Sequence, residues 1–388
     1  MIRVNRKAAD RVASGHPWIF SSDVTDRGDS QPGDAVSVLD PRGKLLGTAL
    51  YSSTSQITLR MVSPQAVAVD RAFLLGRLSQ ALKLRERVVR NSNAYRLVSS
   101  EADLLPGLIV DRYDSSLVLQ SLTQAMDRLQ PEVVSALEEL LAPTGIVARN
   151  DAGVRKLEGL TQSTAIIAGA VSEAVPIEMN GLRLQADLLH GQKTGIYLDQ
   201  RENYVAAARH ARGRMLDCFT STGGFALHAA KMVDTVEAVD SSAPALATAA
   251  ANARANQIDN IEFRQADVFE FLAGLSRRFD TIVLDPPPFA KSRRQVEDAA
   301  RGYKEINLRA LKLLQPGGIL VTCSCSHHMS EATLLEILAE ASLDAGKTLR
   351  VLDRRAQASD HPILLTVPET RYLKCLIFEV VESCASTV

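Results

Sequence analysis

Four carboxylates in the C-terminal half each stand where a short apolar run ends. Asp217 follows RML, Asp240 follows TVEAV, Asp267 follows IEFRQA and Asp285 follows FDTIVL. One acid at a strand end is ordinarily a helix cap or a turn residue. Four in register, separated by helical stretches, point instead to the ligand edge of an open α/β sheet, where strand ends meet a bound molecule. Residues 217–224 read DCFTSTGG, and small residues there would let the backbone approach a ligand closely. Asp240 is placed to accept from ribose hydroxyls and Asp267 from an adenine amino group. The phosphate-cradling pattern GxGxxG is missing, which points to a cofactor that carries an adenosine but no phosphate.

A second set of residues could act on an acceptor. Asp285 is followed by Pro286, Pro287, Pro288 and Phe289, a carboxylate beside a rigid, partly aromatic wall that could hold a flat base. Alone, that motif suggests methylation of an adenine or guanine nitrogen, as in exocyclic-amine methyltransferases. Residues 323–328 read CSCSHH at the end of the next apolar run. Carbon 5 of cytosine is too weakly nucleophilic to take an alkyl group unaided. An enzyme must first add a nucleophile at carbon 6, and a thiolate attacks and leaves well. Cys323 and Cys325 are two apart and share a face if the strand continues. Buried small cysteines are common, and Cys218, Cys375 and Cys384 are expected to be of that kind.

The elements that must position these groups follow from periodicity. Residues 1 to about 65 alternate short β-type runs with turn signals at 32–34 and 40–44, the rhythm of a small β-barrel. From residue 71 to 90 apolar residues recur at helical spacing, followed by strands YRLVSS, GLIVDRY and SLVLQS, a helix at about 127–141, and strands GIVARN and STAIIAG. Asn180-Gly181 between two alternating runs predicts a tight hairpin. Beyond it strands and helices alternate, which implies βαβ units and a parallel sheet covered on both faces. The fold class is therefore α/β, with a Rossmann-like sheet in the C-terminal half, a small β-barrel at the N-terminus and an α+β domain between them. The expected domains are 1–66, 67–175 and 176–388.

Composition narrows the partners. A chain of 388 residues with 46% hydrophobic and 23% charged residues has the make-up of a multi-domain globular protein. No run is long and apolar enough for a membrane span, and the N-terminus lacks a signal peptide's apolar block, so a cytoplasmic protein is expected. Five cysteines without a CxxC pair predict neither disulfides nor a metal site. The formal net charge is −1, so any nucleic-acid surface must be local. Candidate clusters are Arg3, Arg6, Lys7 and Arg11, then 83–90, then Lys291, Arg293, Arg294, Arg301 and Lys304. Tyr303 could stack on a base or simply pack.

The four strand-end motifs, the segment KTGIYLDQR at 193–201 and the CSCSHH run together resemble class I methyltransferases. Over nearly the whole chain the sequence resembles the RlmI-type large-subunit ribosomal RNA cytosine-5 methyltransferases. RVASGHPWIF at 11–20 matches the opening of that family's PUA module. The resemblance implies an N-terminal PUA domain, a central α+β domain, S-adenosyl-L-methionine as cofactor, 23S rRNA as partner and a homodimer. It implies cofactor contacts from Tyr197, Asp199, Arg201, Asp217, Phe219, Thr220, Gly223, Asp240, Ser241, Asp267, Val268 and Asp285. It places the nucleophile at Cys325, where the family's Ser-Cys-Ser lies, with Asp285 supporting the activated ring and Cys323 as a buried neighbour. The better-known RNA cytosine methyltransferases carry a second cysteine in their fourth motif, where this sequence has Pro288, so product release must use another route. Two alternatives remain at this stage, a purine-nitrogen methyltransferase without a covalent intermediate and a catalytically inactive RNA-binding protein.

Overall fold

A computed structural model describes residues 1–289, 296–326 and 328–381, with Val296 described by its backbone alone. The chain divides into two compact units. The first comprises Met1–Met179, Ala186–Leu198 and Ser359–Thr370, and the second Asn180–Gln185, Asp199–Ala358 and Arg371–Val388.

In the first unit, residues 2–63 build a six-stranded sheet around Ile2, Val4, Ile19, Val38, Ala49 and Leu59, all fully buried. The sequence reading missed a helix here, Arg6–Ala13, whose first turn is capped by Asn5 Oδ1 accepting from the Ala8 amide at 2.9 Å. A five-stranded sheet follows, flanked by helices Arg71–Val88 and Gln130–Leu141. The helix expected at 127–141 is two, Gln124–Arg128 and Gln130–Leu141, with Pro131 in the first turn of the second, where it costs no hydrogen bond. Leu50 and Val62 of the first sheet pack into the same core as Leu74, Leu97 and Leu117 of the second region. Ser52 and Arg60 also bond the buried carboxylate of Glu158. Residues 1–66 thus cannot be removed without exposing apolar surface and stranding a buried charge.

The hairpin stands where Asn180-Gly181 predicts it, with φ of 53° and 80° at the two turn residues, between Val175–Met179 and Leu182–Ala186.

The second unit holds a seven-stranded sheet. Its strands are β1 (Arg214–Cys218), β2 (Thr235–Asp240), β3 (Ile261–Gln265), β4 (Phe279–Leu284), β5 (Leu314–Ser324), β6 (Thr348–Arg355) and β7 (Lys374–Val381). The order is β3-β2-β1-β4-β5-β7-β6. Strands β1 to β5 pair in parallel, and β7 runs antiparallel to both β5 and β6. The helices are α1 (Arg201–His210), α2 (Gly224–Ala229), α3 (Ala243–Ala255), α4 (Val268–Gly274), α5 (Val296–Leu313) and α6 (Glu331–Asp344). The β-branched and leucine runs of β4 and β5 are buried because helices cover both faces. Strand order reverses between β1 and β4, so the connections after them diverge and open a crevice at their carboxyl ends.

Candidate active site

The turn after β1 is backbone-strained. Phe219 and Ser221 have φ of 62° and 50°, the left-handed region that side chains other than glycine rarely enter, and Gly223 has φ of 87°. The strain folds the Asp217 carboxylate under the turn. Its Oδ2 accepts from Thr220 Oγ1 at 2.6 Å and from the Ala226 amide at 3.0 Å. Its Oδ1 is buried without a partner, as is Ser221 Oγ. Burial pushes the Asp217 pKa up to about 7, the Thr220 and Ala226 bonds opposing and the charges of Asp285 and Asp240 adding.

Asp240, at the end of β2, accepts from the Ser221 amide through Oδ2 and from the Ser242 amide through Oδ1, both at 2.8 Å. It therefore braces the strained turn, and each oxygen keeps a second lone pair for a ligand. Asp267 is exposed and caps α4 by accepting from the Glu270 amide at 3.1 Å. Ser241 is exposed just past the end of β2, and Val268 is buried at the start of α4. A side chain on Gly224 would meet the Tyr204 ring at 2.4 Å, so the helix can approach α1 only with glycine there.

Residues 193–201 are divided between the two units. Tyr197 belongs to the first unit, where the Lys193 ammonium lies 4.5 Å from its ring centroid. Asp199 and Arg201 are buried in the second, Asp199 accepting from the Tyr372 hydroxyl at 2.8 Å. Gln200, which the sequence reading passed over, donates to Asp285 Oδ1 at 3.1 Å.

At the other side of the crevice β5 ends at Ser324, so Cys325 leaves the strand register. Cys323 instead lies opposite Cys375 inside the sheet, fully buried, and burial holds its thiol well above the ordinary range. Cys218 and Cys375 are fully buried too, whereas Cys325 is partly exposed. Cys384 and His327 lie outside the described residues, and His328 is exposed.

Two residues from distant sequence flank Cys325. Lys374 opens β7 with only 4% exposure, and its Nζ donates to Ser326 O at 2.7 Å and Tyr372 O at 2.9 Å. Burial lowers its pKa to about 8, while the charge of Cys325 pulls the other way. Tyr303 on α5 is fully buried with its hydroxyl 3.3 Å from Ser326 Oγ, so it packs instead of offering a stacking face. Burial raises its pKa to about 12, with Cys325 and Asp285 among the charges acting on it.

The basic clusters come apart. Arg85 is fully buried, bonding both Asp103 oxygens, Arg96 O and Asp360 O, so it is a structural residue. Arg11 bonds Asp23 at 2.8 Å. Arg301 pairs with Asp298, and Lys304 with Glu340 and Asp344. Lys291, Arg293 and Arg294 lie outside the described residues. Among the described residues no cluster suited to a metal ion is found and no helix is long and apolar enough to cross a membrane.

Comparison with known proteins agrees with this architecture. A PUA-like domain model matches residues 2–64 and a methyltransferase domain model residues 209–357. Ribosomal RNA large subunit methyltransferase I of Tolumonas auensis is 43% identical over 93% of this chain and 94% of its own. The protein of that name from Yersinia pseudotuberculosis is 41% identical over 92% and 94%. Among solved structures, SMU.776 in complex with SAH superposes at a TM-score of 0.85 with 21% identity, over 98% of this chain and 100% of that one. Trm5b from Pyrococcus abyssi reaches 0.52 with 17% identity, over 69% and 73%. The second unit has the S-adenosylmethionine-dependent methyltransferase fold, and its site suits that cofactor: partnerless buried oxygens on Asp217 and Ser221, beside a braced carboxylate, answer a ligand rich in hydroxyl and amino donors. By its likeness along nearly its full length to these relatives, this chain belongs to the ribosomal RNA large subunit methyltransferase I family.

Proposed function

We propose that the chain methylates carbon 5 of a cytosine in large-subunit ribosomal RNA, with Cys325 as nucleophile and Asp285 as partner of the activated ring. The observation that carries this reading is the contrast among the described cysteines. Three are sealed in the sheet, and only Cys325 is partly exposed, just past the carboxyl end of β5 and next to the β4 exit that carries Asp285. A purine-nitrogen methyltransferase needs no thiol there.

Cofactor binding falls to the β1, β2 and β3 exits. Asp240 would accept from ribose hydroxyls, Asp267 from the adenine amino group, and Phe219, Thr220, Gly223, Ser241 and Val268 would shape the cradle. Asp199 and Arg201, both buried in the same unit, would add further cofactor contacts. The bound cofactor supplies an electrophilic methyl group. The Cys325 thiolate adds to carbon 6, forming the S–C6 bond and moving the C5–C6 π pair onto carbon 5. Asp285 accepts from the ring's amino group, and carbon 5 takes the methyl. Loss of the carbon-5 proton to a base restores the double bond and expels the thiolate. Lys374 holds the Ser326 carbonyl, which fixes the turn carrying Cys325, and places an ammonium near the sulfur.

An RNA fragment containing 5-fluorocytosine at the target tests the proposal, because fluorine cannot be abstracted and the adduct stalls. The wild-type protein and Cys323→Ala should give a band that survives denaturing electrophoresis, and Cys325→Ala should not. A wild-type protein that methylates ordinary rRNA yet traps nothing refutes the covalent step and leaves nitrogen methylation in its place.

A further inference from the structure

We infer that Arg355, Asn203 and Gln200 form a polarity relay that holds Asp285 as a hydrogen-bond acceptor, making them positioning residues for the methyl-transfer step. The inference rests on Asp285 acting as proposed above.

The chain of contacts is continuous and lies within the second unit. Arg355 Nε, at the end of β6, donates to Asn203 Oδ1 at 2.9 Å. Asn203 Nδ2 donates to Gln200 Oε1 at 2.7 Å and to Ala356 O at 3.0 Å. Gln200 Nε2 donates to Asp285 Oδ1 at 3.1 Å. Gln200 and Asn203 are 2% and 1% exposed, so water does not compete for these groups.

Direction follows from chemistry. A guanidinium can only donate, so the Asn203 atom facing it must be oxygen. The Asn203 amide nitrogen then faces Gln200 and the Ala356 carbonyl, and a carbonyl can only accept, which enforces the same orientation from the other side. Gln200 must therefore turn its oxygen to Asn203 and its nitrogen to Asp285. A flip of Gln200 would set like against like at two places and a flip of Asn203 at three, in a buried site where unmatched polar groups are costly. Two amides that could each point either way are locked by the Arg355 guanidinium together with the Ala356 carbonyl, both acting on Asn203.

For Asp285 the consequence is chemical. A donor fixed on Oδ1 occupies that oxygen as an acceptor and holds the carboxylate in one rotamer. An ionised carboxylate accepts from an amino group, as on cytosine, and repels the carbonyl that uracil presents at the same position. The relay thus supports both turnover and the choice of cytosine over uracil.

The test measures turnover at saturating cofactor and RNA, cofactor affinity by calorimetry, and side-chain amide signals by 15N NMR. Arg355→Met removes the donor, and Asn203→Asp keeps an acceptor for Arg355 but cannot donate to Gln200. Both should lower kcat about ten-fold or more, leave the cofactor Kd within about two-fold and lose or shift the Gln200 amide signals. Arg355→Lys keeps a donor and should retain most of kcat. Wild-type kcat in Arg355→Met and Asn203→Asp overturns the relay, as does an Arg355→Lys variant as poor as Arg355→Met. Asp285→Asn is the separate control: full activity there sinks the role given to Asp285, whatever the amide signals show of the relay.

Discussion

Asp217→Asn separates the electrostatic cost of the buried carboxyl from its hydrogen bonds. In the folded protein Asp217 has its pKa raised from 3.8 to about 7 by burial. Between those values the folded state keeps a proton that the unfolded chain releases, so this group's contribution to stability falls as pH rises. The penalty is absent below 3.8 and complete above about 7. At about 1.36 kcal/mol per pKa unit, it reaches about 4 kcal/mol at pH 8 and about 2 kcal/mol at pH 5. Asparagine does not titrate. Its oxygen can accept from Thr220 and Ala226 as Oδ2 does, while its amide replaces the partnerless Oδ1 at a cost of about 1–3 kcal/mol. The stability of the variant relative to wild type should therefore improve by about 2–3 kcal/mol between pH 5 and pH 8, measured by urea unfolding of the cofactor-free proteins under far-UV circular dichroism. A difference that stays constant within about 0.5 kcal/mol, the ordinary spread for non-interacting sites, would refute the raised pKa. Cofactor affinity should fall in the same variant, because a neutral amide cannot accept at both positions.

Three further outcomes are expected. Cys325→Ala should bind cofactor and RNA but transfer no methyl, while Cys323→Ala, which loses only a buried sulfur opposite Cys375, should keep substantial activity by mass mapping of the treated rRNA. The kcat of the wild type should decline near pH 8 as the Lys374 ammonium loses its proton, and Lys374→Met should lack that decline; an unchanged pH profile would sever Lys374 from Cys325. Arg85→Met should cost about 3–5 kcal/mol of stability by stranding the Asp103 carboxylate, with the salt dependence of RNA binding unchanged, and a lowered salt slope would restore Arg85 to the RNA surface.

Local sequence determined much of this protein. The alternating strands and helices of the second unit, the Asn180-Gly181 hairpin and the acids at the strand ends are fixed by periodicity and turn chemistry, which act over a few residues. Asp267 shows the limit of such reading, for the same carboxylate that suits an adenine amino group also caps α4, and both roles begin from one spacing. The reversal of β7 could not be read, because an apolar run carries no sign of its direction. That reversal sets Lys374 opposite Ser324 and brings its ammonium to the turn holding Cys325, across 48 residues of chain. The strand's end at Ser324, which separates Cys323 from Cys325, is likewise decided by pairing with β7 and β4. Arg85 looked like surface charge within a basic run, and only packing shows it sealed against Asp103. Gln200, Asn203 and Arg355 converge on Asp285 from two helical turns and an edge strand, so their common role arises only when the sheet closes. Sequence specified which chemistry was present; long-range packing decided which of those groups touch, because burial and hydrogen-bond partners are properties of neighbours in space.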